Sequence, residues 1–446
     1  MANKHISKIV LSAVCLFSIV STVSAYTYVP GAKQDRPILL AGGDIHTVSQ
    51  GLLKSSDLLF ENGRITAIGK KLTPPAGAKI IDVTGQQVYP GLMDANSTLG
   101  LIEIDQARAT NDQSEQGQEN SDVQSHIAYN PDSEIIPTVR SNGITTALIV
   151  PGGSLLRGRS SLINLDGWNK EDAMEKENVA LHLSWPQVSI ITAWWMEKSA
   201  EDQKKENDES RRKLERVFEQ AKAYYTARKA DPNLPIDSRW EAMVGVFDRT
   251  LPVFIDANDM RQIEQAVDFS KKYNLRIAIV GGAESYKTTE LLKENNIPVI
   301  VQRTQQMPMR ADDAYDLAYT LPKLLADAGV KFCISQSASW ATRSLPFQAG
   351  EAAAYGLDRD QALRSVTLST AEILGVDKDL GSLDVGKKAT LVVSQGDIMD
   401  ELTNQVTYMF IEGRHVDLNS KHKELYLKYK EKISRAAAAP AILSTK

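Results

Sequence analysis

The sequence has few cysteines and, after its first 25 residues, no long apolar run. Only Cys15 and Cys333 occur among its 446 residues. Cys15 lies in a predicted export signal, so the mature chain would keep one cysteine and form no intrachain disulfide. No later segment approaches the roughly 20 apolar residues of a membrane-spanning helix. The composition therefore excludes a disulfide scaffold and predicts no membrane span, and packing must stabilise the fold.

The first 25 residues have the pattern of an export signal. Lys4 and Lys8 precede an apolar run at residues 9–20, and small residues end at Ala25. We predict cleavage after Ala25 and a periplasmic or secreted location. Cleavage would leave 49 basic and 56 acidic residues, a net charge of −7. This acidic balance argues against a nucleic-acid partner.

Both ends of the predicted mature chain are rich in β-strand patterns. In residues 57–69, apolar residues flank Asn62-Gly63, a pair typical of a tight hairpin turn. Residues 381–416 contain an apolar strand and a second strand pair around a glycine turn. We predict that residues 36–88 and 381–416 form one composite β-sandwich, and that residues 417–446 are a basic tail.

The middle of the chain, residues 89–380, alternates apolar strands with helical patterns. Near-continuous apolar runs are typical of parallel strands covered on both faces, and the alternation predicts a parallel sheet or barrel. The predicted strands are residues 144–150, 179–183, 252–256, 276–280, 298–301 and 331–335, and the predicted helices are 261–273, 285–295 and 314–328.

Two segments interrupt this alternation. Residues 110–125 are polar, and we expect a mobile loop near the mouth of a pocket. Residues 197–229 are highly charged but carry an apolar stripe, which predicts an amphipathic helix packed on the outside of the barrel. A partner-binding helix is the alternative. The stripe consists of Leu214, Val217, Phe218, Ala221 and Tyr225.

The stretch VYPGLMDANSTLGL, residues 88–101, changes from apolar to polar, as a barrel strand does where it opens into a pocket. It resembles the first barrel strand of the amidohydrolase superfamily, P-G-x-x-D-x-H-x-H. Pro90, Gly91 and Asp94 match, while the two histidine positions hold Asn96 and Thr98.

Further stretches resemble the imidazolonepropionase-like branch of that superfamily, and the resemblance covers most of residues 39–414. They include NPDSEIIPTVRSNGITTALIVPGG at residues 130–153 and PVFIDANDMRQIEQAVDF at residues 252–269. The resemblance implies a (β/α)8 TIM barrel beside a small β-sandwich. It also implies zinc-dependent hydrolysis of carbon–nitrogen bonds other than peptide bonds.

The positions where the resemblance implies metal ligands hold few suitable side chains. A hydrolytic zinc needs about three histidine or carboxylate ligands. Of the corresponding residues only Asp256 qualifies, so we predict no zinc and no other cofactor. The corresponding positions are Asn96 and Thr98 on the first strand, Asp256 on the fifth, Gly282 or Ala283 on the sixth, and Ser337 on the eighth.

Two weaker site candidates are Asp94 and His182. His182 is the one histidine on a predicted barrel strand, and we expect a hydrogen-bonded core residue rather than a ligand. Asp94, Asp256 and Glu284 could meet at the barrel mouth, where a carboxylate pair can perform acid–base catalysis. The alternative, which we prefer, is that Asp94 caps a loop and Asp256 accepts hydrogen bonds from backbone amides.

Two further groups remain open between a binding and a structural role. Residues 152–159 form a glycine- and arginine-rich segment that is either an anion-binding loop or a turn. Trp185, Trp194 and Trp195 either line a pocket or pack against the long charged helix.

Two classes of function follow. The first is a hydrolase acting on cyclic amides or dipeptide-like substrates, as the resemblance implies. The second is a catalytically inactive barrel, a pseudoenzyme, that binds a small molecule or supports an active homologous amidohydrolase. Both classes have a small-molecule ligand or substrate. Fold alone does not distinguish them.

Overall fold

The computed structural model describes residues 28–438, which form two eight-stranded sheets with flanking helices. The predicted export signal at residues 1–25 and the tail end at 439–446 lie outside the described residues. The strands are β1 (Ile38–His46), β2 (Leu52–Glu61), β3 (Arg64–Gly69), β4 (Lys79–Asp82), β5 (Gln87–Pro90), β6 (Leu92–Ser97), β7 (Ile144–Ile149), β8 (Leu156–Asn164), β9 (Met174–Ser184), β10 (Val253–Ala257), β11 (Ile277–Gly281), β12 (Val299–Val301), β13 (Phe332–Ile334), β14 (Leu391–Ser394), β15 (Val406–Ile411) and β16 (Arg414–His415).

The first sheet joins both ends of the chain. Its order is β16-β15-β14-β5-β1-β2-β3, with β4 paired to β1. The predicted hairpin turn is confirmed, since Asn62 and Gly63 adopt φ values of 51° and 75° between β2 and β3. Phe60 and Phe410 meet edge to face in the core of this sheet, so residues from the two ends pack together.

The second sheet is a nearly closed barrel in the order β13-β12-β11-β10-β9-β8-β7-β6. The predicted barrel is confirmed, with one difference from eight parallel strands. β8 runs antiparallel to both β7 and β9, whereas its first residues were expected to belong to a glycine- and arginine-rich loop or turn. That expectation was wrong because the burial of Leu156, Leu162 and Ile163 against the neighbouring strands favours extended backbone over a solvated turn.

The polar segment that follows β6 packs along β8. Isolated bridges pair Glu119 with Leu156 and Gln124 with Arg159. Gly158 has a φ of 124°, and a Cβ at this position would lie 2.9 Å from the Val123 carbonyl oxygen. A glycine is therefore required where the segment crosses the strand.

The barrel interior is filled by apolar side chains. They come from alternate positions along the strands, as a packed barrel requires. Polar residues replace them toward the carboxyl ends: His182 follows Ala180 by two residues, and Asp256 follows Phe254 by two. The interior set includes Met93, Leu148, Leu162, Ala180, Phe254, Val280, Ile300 and Cys333.

Helices cover the outside of the barrel. They are α1 (Ile135–Arg140), α2 (Ala200–Ala230), α3 (Ser238–Glu241), α4 (Val244–Phe247), α5 (Met260–Tyr273), α6 (Thr289–Glu294), α7 (Leu317–Asp327), α8 (Leu345–Ala354), α9 (Arg359–Ser365), α10 (Leu368–Leu374) and α11 (Lys421–Ala438). No described helix is both long and apolar enough to cross a bilayer.

The long charged segment forms α2, and the predicted amphipathic packing is confirmed. Four of the five predicted stripe residues are buried, and Phe218 packs against Phe247, Phe269 and Tyr273. The fifth, Tyr225, is half-buried and donates a hydrogen bond to Asp248. The apolar face of α2 is therefore covered by the chain itself.

We predict that Ser199→Ala loosens the first turn of α2. The Ser199 hydroxyl oxygen accepts a hydrogen bond from the Asp202 amide at 3.1 Å and caps the helix. Loss of such a cap costs about 1 kcal/mol, which corresponds to a roughly fivefold loss of amide protection. Hydrogen exchange at residues 200–203 measures this change. The matched control is Ser210→Ala within the same helix, and equal exchange in the two variants would contradict the capping role.

Candidate active site

Polar side chains gather where the barrel strands end. His182 on β9 and Asp256 on β10 face the interior, and Gln302 directly follows β12. Arg157 reaches them from β8, where a register irregularity between Leu156 and Gly158 interrupts the pairing with β9. Because carboxyl ends of parallel strands are where barrel enzymes bind substrates, this cluster is the candidate active site.

Asp256 forms an ion pair with Arg157. Arg157 Nη2 contacts Asp256 Oδ2, and the two side chains are only 14% and 19% exposed. Gln302 Nε2 lies 3.4 Å from Asp256 Oδ1, a long hydrogen bond that leaves this oxygen weakly engaged. Burial raises the pKa of Asp256, and the Arg157 charge opposes that rise. The expected backbone-amide partners were wrong, because the irregularity in β8 supplies a guanidinium instead.

His182 is buried beside this pair as a neutral imidazole. Its Nδ1 lies 3.3 Å from Arg157 Nη2. Burial and the Arg157 charge lower its pKa well below the usual value. Since a guanidinium can only donate, Nδ1 must accept and the ring proton must reside on Nε2. Nε2 has no hydrogen-bond partner in the described part of the chain, although the ring packs edge to face with Phe254.

Asp94 is fully buried and ties the two edges of the barrel sheet together. It accepts hydrogen bonds from the backbone amides of Asn96 at 3.1 Å and Gln336 at 3.0 Å, and from the Thr342 hydroxyl at 3.1 Å. Burial raises its pKa to about 7. Asp94 therefore has a structural role that differs from the expected loop cap, because two of its three partners lie after β13 and it fastens β6 to that segment.

The three carboxylates proposed to meet at the mouth have separate sets of partners. Glu284 accepts a hydrogen bond from the Met260 amide at 2.7 Å. It also forms ion pairs with Lys287 at 2.9 Å and Arg310 at 3.4 Å. Arg310 also contacts Asp259, so Glu284 belongs to a salt-bridge cluster beside the Asp259 loop rather than to the Arg157 pair.

The remaining sequence-predicted positions offer no metal ligands. Asn96 is buried, Thr98 and Ser337 are partly buried, and Gly282 adopts a left-handed φ of 63°. Within residues 28–438 no three histidine, cysteine or carboxylate side chains converge as a metal-binding group. A guanidinium already neutralises Asp256. The residues therefore do not fit the divalent ion that the superfamily resemblance implies.

The sequence pattern did not identify Arg157 as the partner of Asp256, and it did not single out Gln302 or Gln336. Gln302 directly follows the apolar strand β12, and Gln336 follows the apolar strand β13 after one serine. This change from apolar to polar residues at a strand end could have identified both glutamines. Nothing local in the sequence indicates that Arg157 reaches Asp256, because 99 residues separate them.

The tryptophans do not surround the cluster. Trp185 packs against Phe269 on the outer helix layer, and its indole donates to Gln265 at 3.2 Å. Trp194 and Trp195 are exposed by 97% and 56%. A cavity of about 510 Å³ instead opens beside Gln302, among loops that follow β10, β11 and β12. Its walls include Asn258, Met307 and Met309.

Comparison with known proteins shows which proteins this chain resembles. Residues 317–416, from α7 through β16, match the family model described as Amidohydrolase family. The structure is similar to that of an amidohydrolase from Thermotoga maritima MSB8, with a TM-score of 0.77. Part of this chain thus matches the amidohydrolase family, and its fold is that of a solved amidohydrolase. The predicted resemblance to the amidohydrolase superfamily is therefore confirmed, while the imidazolonepropionase-like branch stays a prediction.

The sequence identity between this chain and the solved structures is low. The Thermotoga amidohydrolase is 23% identical, and the alignment covers 85% of this chain and 99% of that one. A structure of molinate hydrolase is 14% identical with a TM-score of 0.55, covering 87% of this chain and 96% of that one. At these identities the likeness shows the fold alone.

The curated relatives are longer or match over a short stretch. Amidohydrolase tasK of Hapsidospora irregularis is 23% identical over 375 residues, which cover 76% of this chain. A dihydroorotase of Geobacter sulfurreducens is 46% identical over 57 residues, or 13% of this chain. The alignments span 38% of the first relative's length and 13% of the second's.

Proposed function

We propose that this amidohydrolase-superfamily chain hydrolyses a non-peptide carbon–nitrogen bond in a small cyclic amide or dipeptide-like molecule. The supporting observation is the Arg157–Asp256 pair beside neutral His182, at the strand ends where barrel enzymes place their chemistry. The superfamily match supports the reaction class.

The substrate oxygen would bind to donors that lack protein partners. Arg157 Nε and His182 Nε2 are buried, and neither has a hydrogen-bond partner in the described residues. A buried donor without an acceptor costs about 1–3 kcal/mol. A carbonyl oxygen of the substrate would satisfy such donors. Because charge develops on that oxygen in the transition state, a fixed guanidinium would stabilise the transition state more than the substrate.

Asp256 would act as the proton carrier. Its Oδ1 is held only by the long contact from Gln302, and burial raises its pKa. In the proposed reaction Asp256 takes a proton from the attacking water as the carbon–oxygen bond forms. It then returns that proton to the leaving nitrogen as the carbon–nitrogen bond breaks. No step requires a metal ligand, in agreement with the side chains at the strand ends.

The test is a panel of lactams, cyclic ureides and dipeptides, assayed with and without a chelator. We expect turnover to survive chelation and to fall roughly 10²- to 10⁴-fold in Asp256→Asn, as the loss of a general base predicts. Asp105→Asn, at an exposed position that contributes no side chain to the cluster, is the matched control. Turnover that requires added zinc would contradict the proposal.

A second candidate function has one specific observation in its favour. The ion pair with Arg157 neutralises Asp256, the carboxylate that the proposed hydrolysis uses as its base. The chain would then bind its small molecule without turnover, or support an active homologous amidohydrolase. A bound ligand in native mass spectrometry, together with no turnover of any panel compound, would favour this candidate over hydrolysis.

A further inference from the structure

A second cavity lies at the opposite end of the barrel from the Arg157–Asp256 pair. Its volume is about 440 Å³. Arg276 and Lys331 line it from the positions just before β11 and β13, and Phe254 and Ala278 of the barrel interior form its floor. The cavity therefore opens at the amino ends of the strands, where the proposed hydrolysis has no residues.

The lining of this cavity carries an excess of positive charge. Arg276, Lys293 and Lys331 contribute cationic side chains, and Glu372 is the one acidic residue of the lining. Glu372 is already engaged by Lys331 at 2.9 Å and by Arg364 at 2.6 Å. In the described residues, no carboxylate lies within 4.0 Å of Arg276 or Lys293. Arg276 donates a long hydrogen bond of 3.4 Å to the Thr250 carbonyl oxygen, and its other donors and the Lys293 ammonium remain available to an anion.

More cations surround Arg276. Lys176 Nζ donates to the carbonyl oxygens of Leu374 at 2.9 Å and Gly375 at 3.2 Å, and Gly375 lines the cavity. Burial and the Arg276 charge lower the pKa of Lys176, and the Asp377 charge opposes this fall only in part. Burial and the Arg249 charge lower the pKa of Arg276. The cations repel one another within a chain whose net charge is −5. Such a cluster costs stability unless an anion compensates for it.

We propose that this cavity binds a phosphate-bearing small molecule through Arg276, Lys293 and Lys331. A guanidinium offers the planar pair of donors that matches phosphate oxygens, and the lysines supply point charges. A multivalent phosphate compensates several cations at once, which a single carboxylate does not. The volume falls within the range of small-molecule sites. The site is independent of the proposed hydrolysis.

The test compares the thermal unfolding midpoint with and without pyrophosphate at constant ionic strength. Because an anion that binds only the folded chain stabilises it by mass action, we expect the midpoint to rise by a few degrees at saturation. In Arg276→Gln we expect at least a tenfold loss of pyrophosphate affinity. We also expect the midpoint without pyrophosphate to be unchanged or higher, since the repulsion is relieved.

This paired outcome separates a binding role from a structural one. An arginine that merely supports the fold would lower the midpoint when replaced, whether or not pyrophosphate is present. Arg216→Gln on α2, an exposed arginine far along the chain from the cavity, should keep the full pyrophosphate response. An unchanged response in Arg276→Gln would overturn the proposal.

A sedimentation assay with phosphatidylglycerol vesicles distinguishes the source of the phosphate. Binding to pyrophosphate but not to vesicles supports a soluble ligand. Vesicle binding that depends on Arg276, without a pyrophosphate response, would overturn the small-molecule site in favour of a lipid headgroup. If no compound of the substrate panel is hydrolysed, the thermal unfolding and vesicle results keep their meaning, because neither measurement involves turnover.

Discussion

Asp166→Ala should lower the free energy of unfolding by about 3–5 kcal/mol, the usual cost of leaving a buried charge without its partner. Arg140 is fully buried, and its Nη1 lies 3.5 Å from Asp166 Oδ1. Arg140 has two other contacts. It donates a 2.8 Å hydrogen bond to the Leu165 carbonyl oxygen, and its guanidinium carbon lies 3.6 Å from the centroid of the Tyr28 ring. Neither group carries a compensating negative charge, so removal of Asp166 leaves Arg140 uncompensated.

Asp166 also connects the beginning of the described chain to the barrel. It accepts hydrogen bonds from the Tyr28 hydroxyl and from the Gly31 amide at 3.2 Å, and it contacts Arg414 at 3.4 Å. One side chain thus joins residues before β1, the end of β8 and the hairpin of β15 and β16. Loss of Asp166 should therefore expose residues 28–31 to proteolysis in addition to lowering the unfolding midpoint.

Urea unfolding followed by far-ultraviolet circular dichroism measures the effect. The matched control is Asp35→Ala. Asp35 also forms an ion pair with an arginine, Arg36 at 2.8 Å, but both of these side chains are exposed. Exposed pairs contribute little, so the control should keep the wild-type midpoint. Equal midpoints for the two variants would show that burial of the Arg140–Asp166 ion pair does not determine its contribution to the stability of the fold.

The second large effect concerns the dependence of stability on pH. Burial raises the pKa of Asp94 to about 7, from an ordinary value of 3.8. The folded chain therefore holds this proton where the unfolded chain releases it. The resulting stabilisation is complete below about pH 4 and declines as pH rises. It is lost above about pH 7, a change of up to about 4 kcal/mol.

Asp94→Asn should remove this slope. The asparagine oxygen can accept from the Asn96 and Gln336 amides. Thr342 can turn its hydroxyl proton to the Ala338 carbonyl, 3.1 Å away, and then accept a hydrogen bond from the asparagine amide group. We expect the variant to gain stability relative to wild type between pH 5 and pH 8. Thermal unfolding across this range, with Asp105→Asn as a surface control, measures the difference. Parallel curves for wild type and Asp94→Asn would contradict the assignment.

The centre of this barrel differs in charge from the site that its superfamily resemblance implies. A divalent ion needs several anionic or imidazole donors, whereas the strand ends here present one carboxylate, one neutral histidine and a guanidinium. Arg157 thereby supplies a fixed positive charge from within the chain. Such a charge still polarises a substrate oxygen, but it does not lower the pKa of a bound water as a metal does.

Local patterns in the sequence determined the elements. Apolar runs identified seven of the eight barrel strands, Asn62-Gly63 identified the hairpin, and the 3.6-residue stripe identified the buried face of α2. These signals are reliable because backbone geometry dictates which face each side chain occupies. The Pro90-Gly91 motif, together with the further matching stretches, likewise indicated the superfamily resemblance.

Tertiary structure alone decided which elements meet. Periodicity specifies the face of a strand but not its neighbour, so the sequence did not reveal that β8 runs antiparallel or that Arg157 reaches Asp256. The bonds from Asp94 to Gln336 and Thr342 span 242 and 248 residues. The Arg276 cavity likewise combines residues that precede several strands. Such pairings depend on the closure of the barrel, because only closure brings residues so distant in the chain within hydrogen-bonding distance.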